Sequence, residues 1–183
     1  MKEKSVIRKT MLKKRDEMDP ELAVKLSRII CEKIMRLQDY EKAKTVYAYA
    51  ARGNEANLKT LIQDAWRKGK KVAVPRIHGD DLDFYYIESF GQLREGYKGI
   101  PEPFGCRKAE SEDAFMVMPG AAFDEKRNRI GQGKGFYDRY LEKHPLHPTA
   151  AAAYEFQVAG QELPHEDTDL RPGAVVTDKR IIR

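Results

Sequence analysis

The chain has 183 residues, 41% of them hydrophobic and 34% charged, with a formal net charge of +5. That length can bury an adequate core without disulfide or metal staples, and the composition excludes a disordered chain. No apolar run approaches membrane length, and the opening MKEKSVIRK lacks the apolar stretch of a secretory signal, so we expect a cytoplasmic protein with Cys31 and Cys106 as reduced thiols.

Residues 2–18 read as a helix, with Val6, Ile7, Met11 and Leu12 forming an apolar stripe and Lys4, Arg8 and Arg15 on one side. Asp19 and Pro20 suit the cap and first position of a second helix reaching about residue 37. Residues 1–44 carry 13 Lys+Arg against 8 Asp+Glu, whereas residues 45–183 carry 21 of each. The basic excess therefore lies at the N-terminus, as a nucleic-acid arm or as cations lent to an anionic small-molecule site. A strand is predicted at 45–50, then a helix at 57–68 that Gly69 ends. Strands follow at 71–75 and, after the Gly79 turn, at 82–87. Residues 91–113 read as irregular, and 114–118 as an apolar strand running into Pro119-Gly120. A helix at 136–143 precedes strands near 149–153 and 174–177. Strands alternating with helices predict an α/β fold with a mainly parallel central sheet and ligands beyond the carboxyl ends of its strands. We expect one domain spanning 1–183, its N-terminal helices (1–40) contributing basic residues to a site.

The run Arg129–Tyr140, RIGQGKGFYDRY, is the most informative. Gly131, Gly133 and Gly135 free the backbone to take φ > 0 and to offer successive N–H groups to an anion. Arg129, Lys134 and Arg139 add positive charge, and the helix that follows adds its N-terminal dipole. Asp138 inside this basic cluster suits a phosphate-bound Mg²⁺. The Walker and dinucleotide patterns both fail, because Gly135 follows Lys134 and Phe136 stands where a last glycine belongs. The bland alternative is a glycine-rich turn with surface charge.

Other candidates are weaker alone. Lys4 and Arg8 share a helix face, more often a solvated face than a phosphate clamp. Glu55 and Glu102, the latter in the stiff I-P-E-P-F-G segment, can receive ligand donors or be ordinary loop carboxylates. Tyr154, Glu155 and Gln157 follow a predicted strand, where they can stack on a planar ring and bind its N–H groups, or be polar strand-end residues. Asp169 can join Asp138 at Mg²⁺. No zinc spacing and no nucleophile signature is present.

Taken in order, Lys4-x-x-x-Arg8, Gly53-Asn54-Glu55, Ile100-Pro101-Glu102-Pro103, Met118–Asp124, Arg129–Leu141, Ala153-Tyr154-Glu155-x-Gln157 and Asp169 resemble the 5-formyltetrahydrofolate cyclo-ligase family over nearly the whole chain. Phe136, where the family commonly has Tyr, and Asn57, where it often has Thr, depart from the pattern. The resemblance implies a three-layer α/β fold of the sugar-phosphate isomerase and CoA-transferase type, with N-terminal helices. It implies an ATP-dependent ligase that uses Mg²⁺ to cyclise 5-formyltetrahydrofolate to 5,10-methenyltetrahydrofolate through a phosphorylated formyl oxygen. It gives ATP to Lys4, Arg8, Arg129, Gly131, Gly133, Lys134, Gly135 and Tyr137, with Lys134 and Arg129 catalytic. It gives Mg²⁺ to Asp138 and Asp169, and folate to Glu55, Glu102, Tyr154 and Gln157. The expected partners are these small molecules, with neither nucleic acid nor membrane, and the expected state is a monomer. The competing reading is a nucleic-acid-binding module using the basic N-terminus.

Overall fold

A computed structural model describes residues 2–166 and 168–183. Helix α1 (Lys2–Asp16) leads into α2 (Pro20–Ile34) and a short α3 (Gln38–Lys42). Strand β1 (Thr45–Tyr47), helix α4 (Lys59–Arg67) and the hairpin β2 (Lys71–His78) and β3 (Asp81–Ile87) follow. A smaller hairpin, β4 (Leu93–Glu95) with β5 (Pro101–Pro103), precedes β6 (Phe115–Met118), β7 (Ala122–Asp124) and β8 (Arg129–Ile130). The chain ends with α5 (Phe136–Lys143), β9 (Thr149–Ala152), β10 (Val158–Ala159), β11 (Ala174–Val176) and β12 (Ile181–Ile182).

The predicted caps form. The Asp19 carboxylate accepts from the Leu22 N–H at 2.9 Å with Pro20 in the first helical position, and Gly69 leaves α4 at φ +71.

The main sheet has seven strands in the order β12-β11-β9-β6-β1-β2-β3. Its five inner strands are parallel, while β3 and β12 close the edges antiparallel. Alternation decides which face each side chain covers. Val46, Val72, Val74, Phe115, Val117, Ala150 and Val176 join the core under α2 and α4. Tyr47, Ala73, Met116, Met118, Ala151 and Val175 point the other way, to Tyr140 and Leu141 of α5. Both faces are buried, which is why the inner strands read as apolar runs and not as alternating ones. The helix–sheet–helix arrangement is the three-layer α/β fold expected from the sequence. Helix α1 lies apart, its Ile7 and Met11 packed on Ala122, Ile130 and Leu163.

Several elements differ from the sequence reading. Residues 91–113 contain a hairpin, and β7, β8 and β10 form a separate three-stranded sheet. These strands are two to three residues long, too short for a periodic pattern. Among the described residues, no helix is long and apolar enough to cross a membrane.

Candidate active site

From β1 the chain moves to β2 on one side, while β6, β9 and β11 lie on the other. The order reverses between β1 and β6, and open α/β sheets hold ligands beyond such a point, at the carboxyl ends of the strands. The segments leaving these two strands meet there: Tyr49 to Glu55 after β1, and Pro119 to Asp138 after β6.

The glycine loop divides two adjoining chambers at this end. One is walled by Tyr49, Pro75, Ile77, Leu82, Ile100, Phe136 and Tyr137, and Glu55 and Glu102 lie in that apolar lining. The other, a charged chamber, is lined by Lys4, Arg8 and Arg129 and by Asp138, Glu166 and Asp169, with Gly131, Gly133 and Gly135 forming its wall. Arg129, Gly131, Gly135 and Asp138 face both, and Lys134 reaches the apolar one.

Two of the three glycines take left-handed conformations, Gly133 at φ +97 and Gly135 at φ +64. Gly135 is the N-cap of α5 and has no side chain to satisfy the first-turn N–H groups. Gly131 does not adopt positive φ; a Cβ there would stand 3.0 Å from the Arg129 guanidinium. It is needed for clearance, not for a turn.

The charged groups are paired. The Arg129 side chain is 4% exposed, and its Nη2 donates to both Asp138 oxygens at 2.8 and 2.9 Å. Its Nη1 donates to the Pro119 carbonyl at 3.2 Å. Lys4 Nζ donates to Asp169 at 2.5 Å and to Glu166 at 3.2 Å. Burial alone would raise the Asp169 pKa, but the Lys4 bond, the Glu166 N–H and the Lys4 and Arg129 charges outweigh it and hold the carboxyl below its usual value. Burial would lower the Lys4 pKa, and the same pairs raise it instead. Arg8 Nε donates to the Gly131 carbonyl at 2.8 Å, tying α1 to the loop.

Glu55 is buried and accepts from Arg15 Nη1 at 3.3 Å, Arg52 N at 2.9 Å and Gln132 Nε2 at 2.6 Å. Glu102 accepts from the Ile77 N–H at 3.3 Å. The bend at Gly96 exists for it: a Cβ on Gly96 would lie 2.4 Å from the Glu102 carboxyl.

Several sequence candidates sit elsewhere than expected, Lys134 among them, since it lines only the apolar chamber. Tyr137 lines the apolar chamber and not the charged one; burial and the nearby Glu55 charge push its hydroxyl pKa up. Tyr154 is fully buried, with its hydroxyl 3.2 Å from the Ser27 hydroxyl, under α2. Gln157 is buried, accepting from Tyr154 N and donating to the Gly120 and Ala121 carbonyls. Neither lines a chamber. Gln157 braces the Pro119–Ala121 turn whose carbonyl holds Arg129, and Tyr154 ties its own segment to α2. Arg139 turns away from the loop's anion side, donating to the carbonyls of Lys134 and Asp80. Two residues that sequence reasoning gave no role, Arg15 and Gln132, contact Glu55. Their signals were the position of Arg15 on the Lys4–Arg8 side of α1 and that of Gln132 between two loop glycines.

Fold and site together define an α/β enzyme whose apolar and charged chambers adjoin at the sheet's switch point. The chain belongs to the 5-formyltetrahydrofolate cyclo-ligase family, whose model matches residues 1–178. A probable 5-formyltetrahydrofolate cyclo-ligase of Schizosaccharomyces pombe is 30% identical over 172 residues, 84% of each chain. The 5-formyltetrahydrofolate cyclo-ligase of Escherichia coli K12 is 28% identical over 180 residues, 92% of this chain and 96% of its own. The structure of Aquifex aeolicus 5,10-methenyltetrahydrofolate synthetase matches with a TM-score of 0.85 at 32% identity, covering 98% of this chain and 92% of that one. These relatives favour the enzyme over the nucleic-acid module.

Proposed function

We propose that this chain cyclises 5-formyltetrahydrofolate to 5,10-methenyltetrahydrofolate, consuming ATP and releasing ADP and phosphate. The carrying observation is the glycine loop standing between a mainly apolar chamber with two buried carboxylates and a charged chamber lined by Lys4, Arg8 and Arg129 together with Asp138, Glu166 and Asp169. A reaction that joins a flat, N–H-bearing ring to a polyphosphate needs such a partition. The ring goes to the apolar side, where Glu55 and Glu102 accept its N–H groups. The phosphates go to Lys4, Arg8 and the N–H groups of the loop and the α5 N-terminus.

An amide oxygen is a poor leaving group. The formyl oxygen attacks the γ-phosphorus and the bond to ADP breaks. The neighbouring folate amine then attacks the formyl carbon. The carbon–oxygen bond breaks with its electron pair leaving on phosphate, and the amine proton goes to solvent. The substrate supplies both nucleophiles, so the protein's task is positioning and charge stabilisation. Lys134 faces the apolar chamber from the loop and meets the charge that develops as the phosphoryl group crosses. Arg129, locked by Asp138 and Pro119, holds the loop's base.

The donor set fits a magnesium–phosphate chelate. Asp138 and Asp169 line one chamber, and Mg²⁺ takes one or two carboxylates with phosphate and water completing its shell. Among the described residues no cluster of three metal-ligating side chains occurs. Bound there, it would neutralise phosphate charge. The test is the rise in methenyl-folate absorbance on mixing the protein with 5-formyltetrahydrofolate, ATP and Mg²⁺. Absence of product in the complete mixture, with the protein folded, refutes the reading.

A further inference from the structure

We propose that Gln132 is a positioning residue that couples the two chambers, so that a nucleotide and a folate each tighten the other's binding. The inference rests on the reading of the chambers given above and adds a property that reading does not require.

Glu55 is held from both sides. Arg15, on α1, is buried and comes within 3.3 Å of Oε1. Gln132, on the glycine loop, donates to the same oxygen at 2.6 Å. The second oxygen accepts from the Arg52 backbone at 2.9 Å. Arg52 belongs to the segment after β1, and Arg15 to α1, the helix that also carries Lys4 and Arg8. Among these donors Gln132 is the one carried by the glycine loop itself, between Gly131 and Gly133.

The loop's other ties run elsewhere. Arg8 holds the Gly131 carbonyl, and Arg139 holds the Lys134 carbonyl. The Gln132 amide is therefore the loop's direct link to Glu55. An anion bound to the loop backbone fixes the loop, which fixes Gln132, which fixes the Glu55 oxygen facing a folate N–H donor. Folate held by Glu55 in turn favours the loop position that receives phosphate. Linkage makes the two effects equal in size.

The experiment is calorimetric binding of 5-formyltetrahydrofolate with and without a non-hydrolysable ATP analogue and Mg²⁺, on the wild type, Gln132→Met and Gln132→Ala. Methionine keeps the length and removes the donor. The wild type should bind folate about tenfold more tightly with the analogue present. Both variants should keep binding each ligand alone, keep their thermal melting, and lose most of that factor. A merely structural Gln132 would shift melting and leave the factor intact. Retained coupling in both variants overturns the proposal. A wild type that binds both ligands without coupling also overturns it while leaving the proposed activity standing. A wild type that binds neither ligand refutes the underlying reading as well.

Discussion

At the scale of single residues, Lys134 and Asp138 separate chemistry from architecture. Lys134 is exposed, and it is its carbonyl that Arg139 holds, so removing the side chain should leave the fold alone. Lys134→Ala is expected to lower turnover roughly 10²–10³-fold, the usual worth of one donor to developing charge, with little change in folate affinity; steady-state kinetics beside equilibrium binding checks it. Asp138 carries two duties, because its removal also strands the buried Arg129. Breaking a buried pair costs about 3–5 kcal/mol, so Asp138→Ala should lose stability as well as activity. Asp138→Asn and Asp169→Asn should both raise the Mg²⁺ needed for half-maximal turnover, Asp138 the more. Asp138 is fixed by the loop, whereas Asp169 is replaceable on Lys4 by Glu166. Unchanged Mg²⁺ titrations in both would leave these carboxylates as partners of Arg129 and Lys4 only. The residue types of the loop were legible in the sequence. Their pairing was not, since Arg129–Asp138 and Lys4–Asp169 are contacts that only the assembled fold creates.

At the scale of elements, short segments are set by single buried groups. Asp124, at the end of β7, is 1% exposed and accepts from the N–H groups of Lys126, Asn128 and Leu163 and from the Asn128 side chain, at 2.7–2.9 Å. Burial would raise its pKa, and these four donors depress it instead. This carboxylate builds the turn that delivers Arg129. Asp124→Ala is expected to cost about 3 kcal/mol by leaving buried donors unpaired, read from urea unfolding. Tyr154→Phe separates the two readings of that residue. With the hydroxyl bonded to Ser27 inside the core, the change should cost about 1 kcal/mol and leave the KM for folate unaltered. A large rise in KM with unchanged stability would restore Tyr154 as a ligand contact. The helices and the inner strands were readable from periodicity. The β4–β5 hairpin and the three-stranded sheet were not, because segments of two or three residues carry no period.

At the scale of the whole molecule, pH acts through buried groups far from the site as well as in it. His147 donates from Nδ1 to the Ala114 carbonyl at 2.8 Å, and its Nε2 is buried without a partner among the described residues. Burial lowers its pKa below the ordinary 6.5. The unfolded chain therefore takes up the proton more readily than the folded one. The contribution of His147 to stability is complete above about pH 6.5 and is lost as pH falls through the depressed folded value. Asp124 and Asp169 act in the same direction lower down, each depressed from 3.8. Their stabilisation is present above that value and lost as pH falls through the folded one. Urea unfolding at stepped pH should show a plateau near neutrality and a decline beginning below about 6.5. His147→Gln should flatten the upper part of that decline and leave the lower part.

The sequence by itself determined the α/β class, the order of the major elements, the identity of the glycine loop and the family. Each of these is written locally, in the period of apolar residues, in caps such as Asp19-Pro20, and in the fixed spacing of Gly131, Gly133 and Gly135. Only the tertiary structure decided which side of the loop each residue faces. It moved Tyr137 to the apolar chamber, sent Tyr154 and Gln157 into the interior, and brought Arg15 and Gln132 onto Glu55. The physical reason is that chain spacing constrains neighbours within a turn or a strand. Glu55 and Gln132 are 77 positions apart, and Lys4 and Asp169 are 165 apart. Their meeting depends on where the sheet reverses its strand order and on how α1 packs beside it.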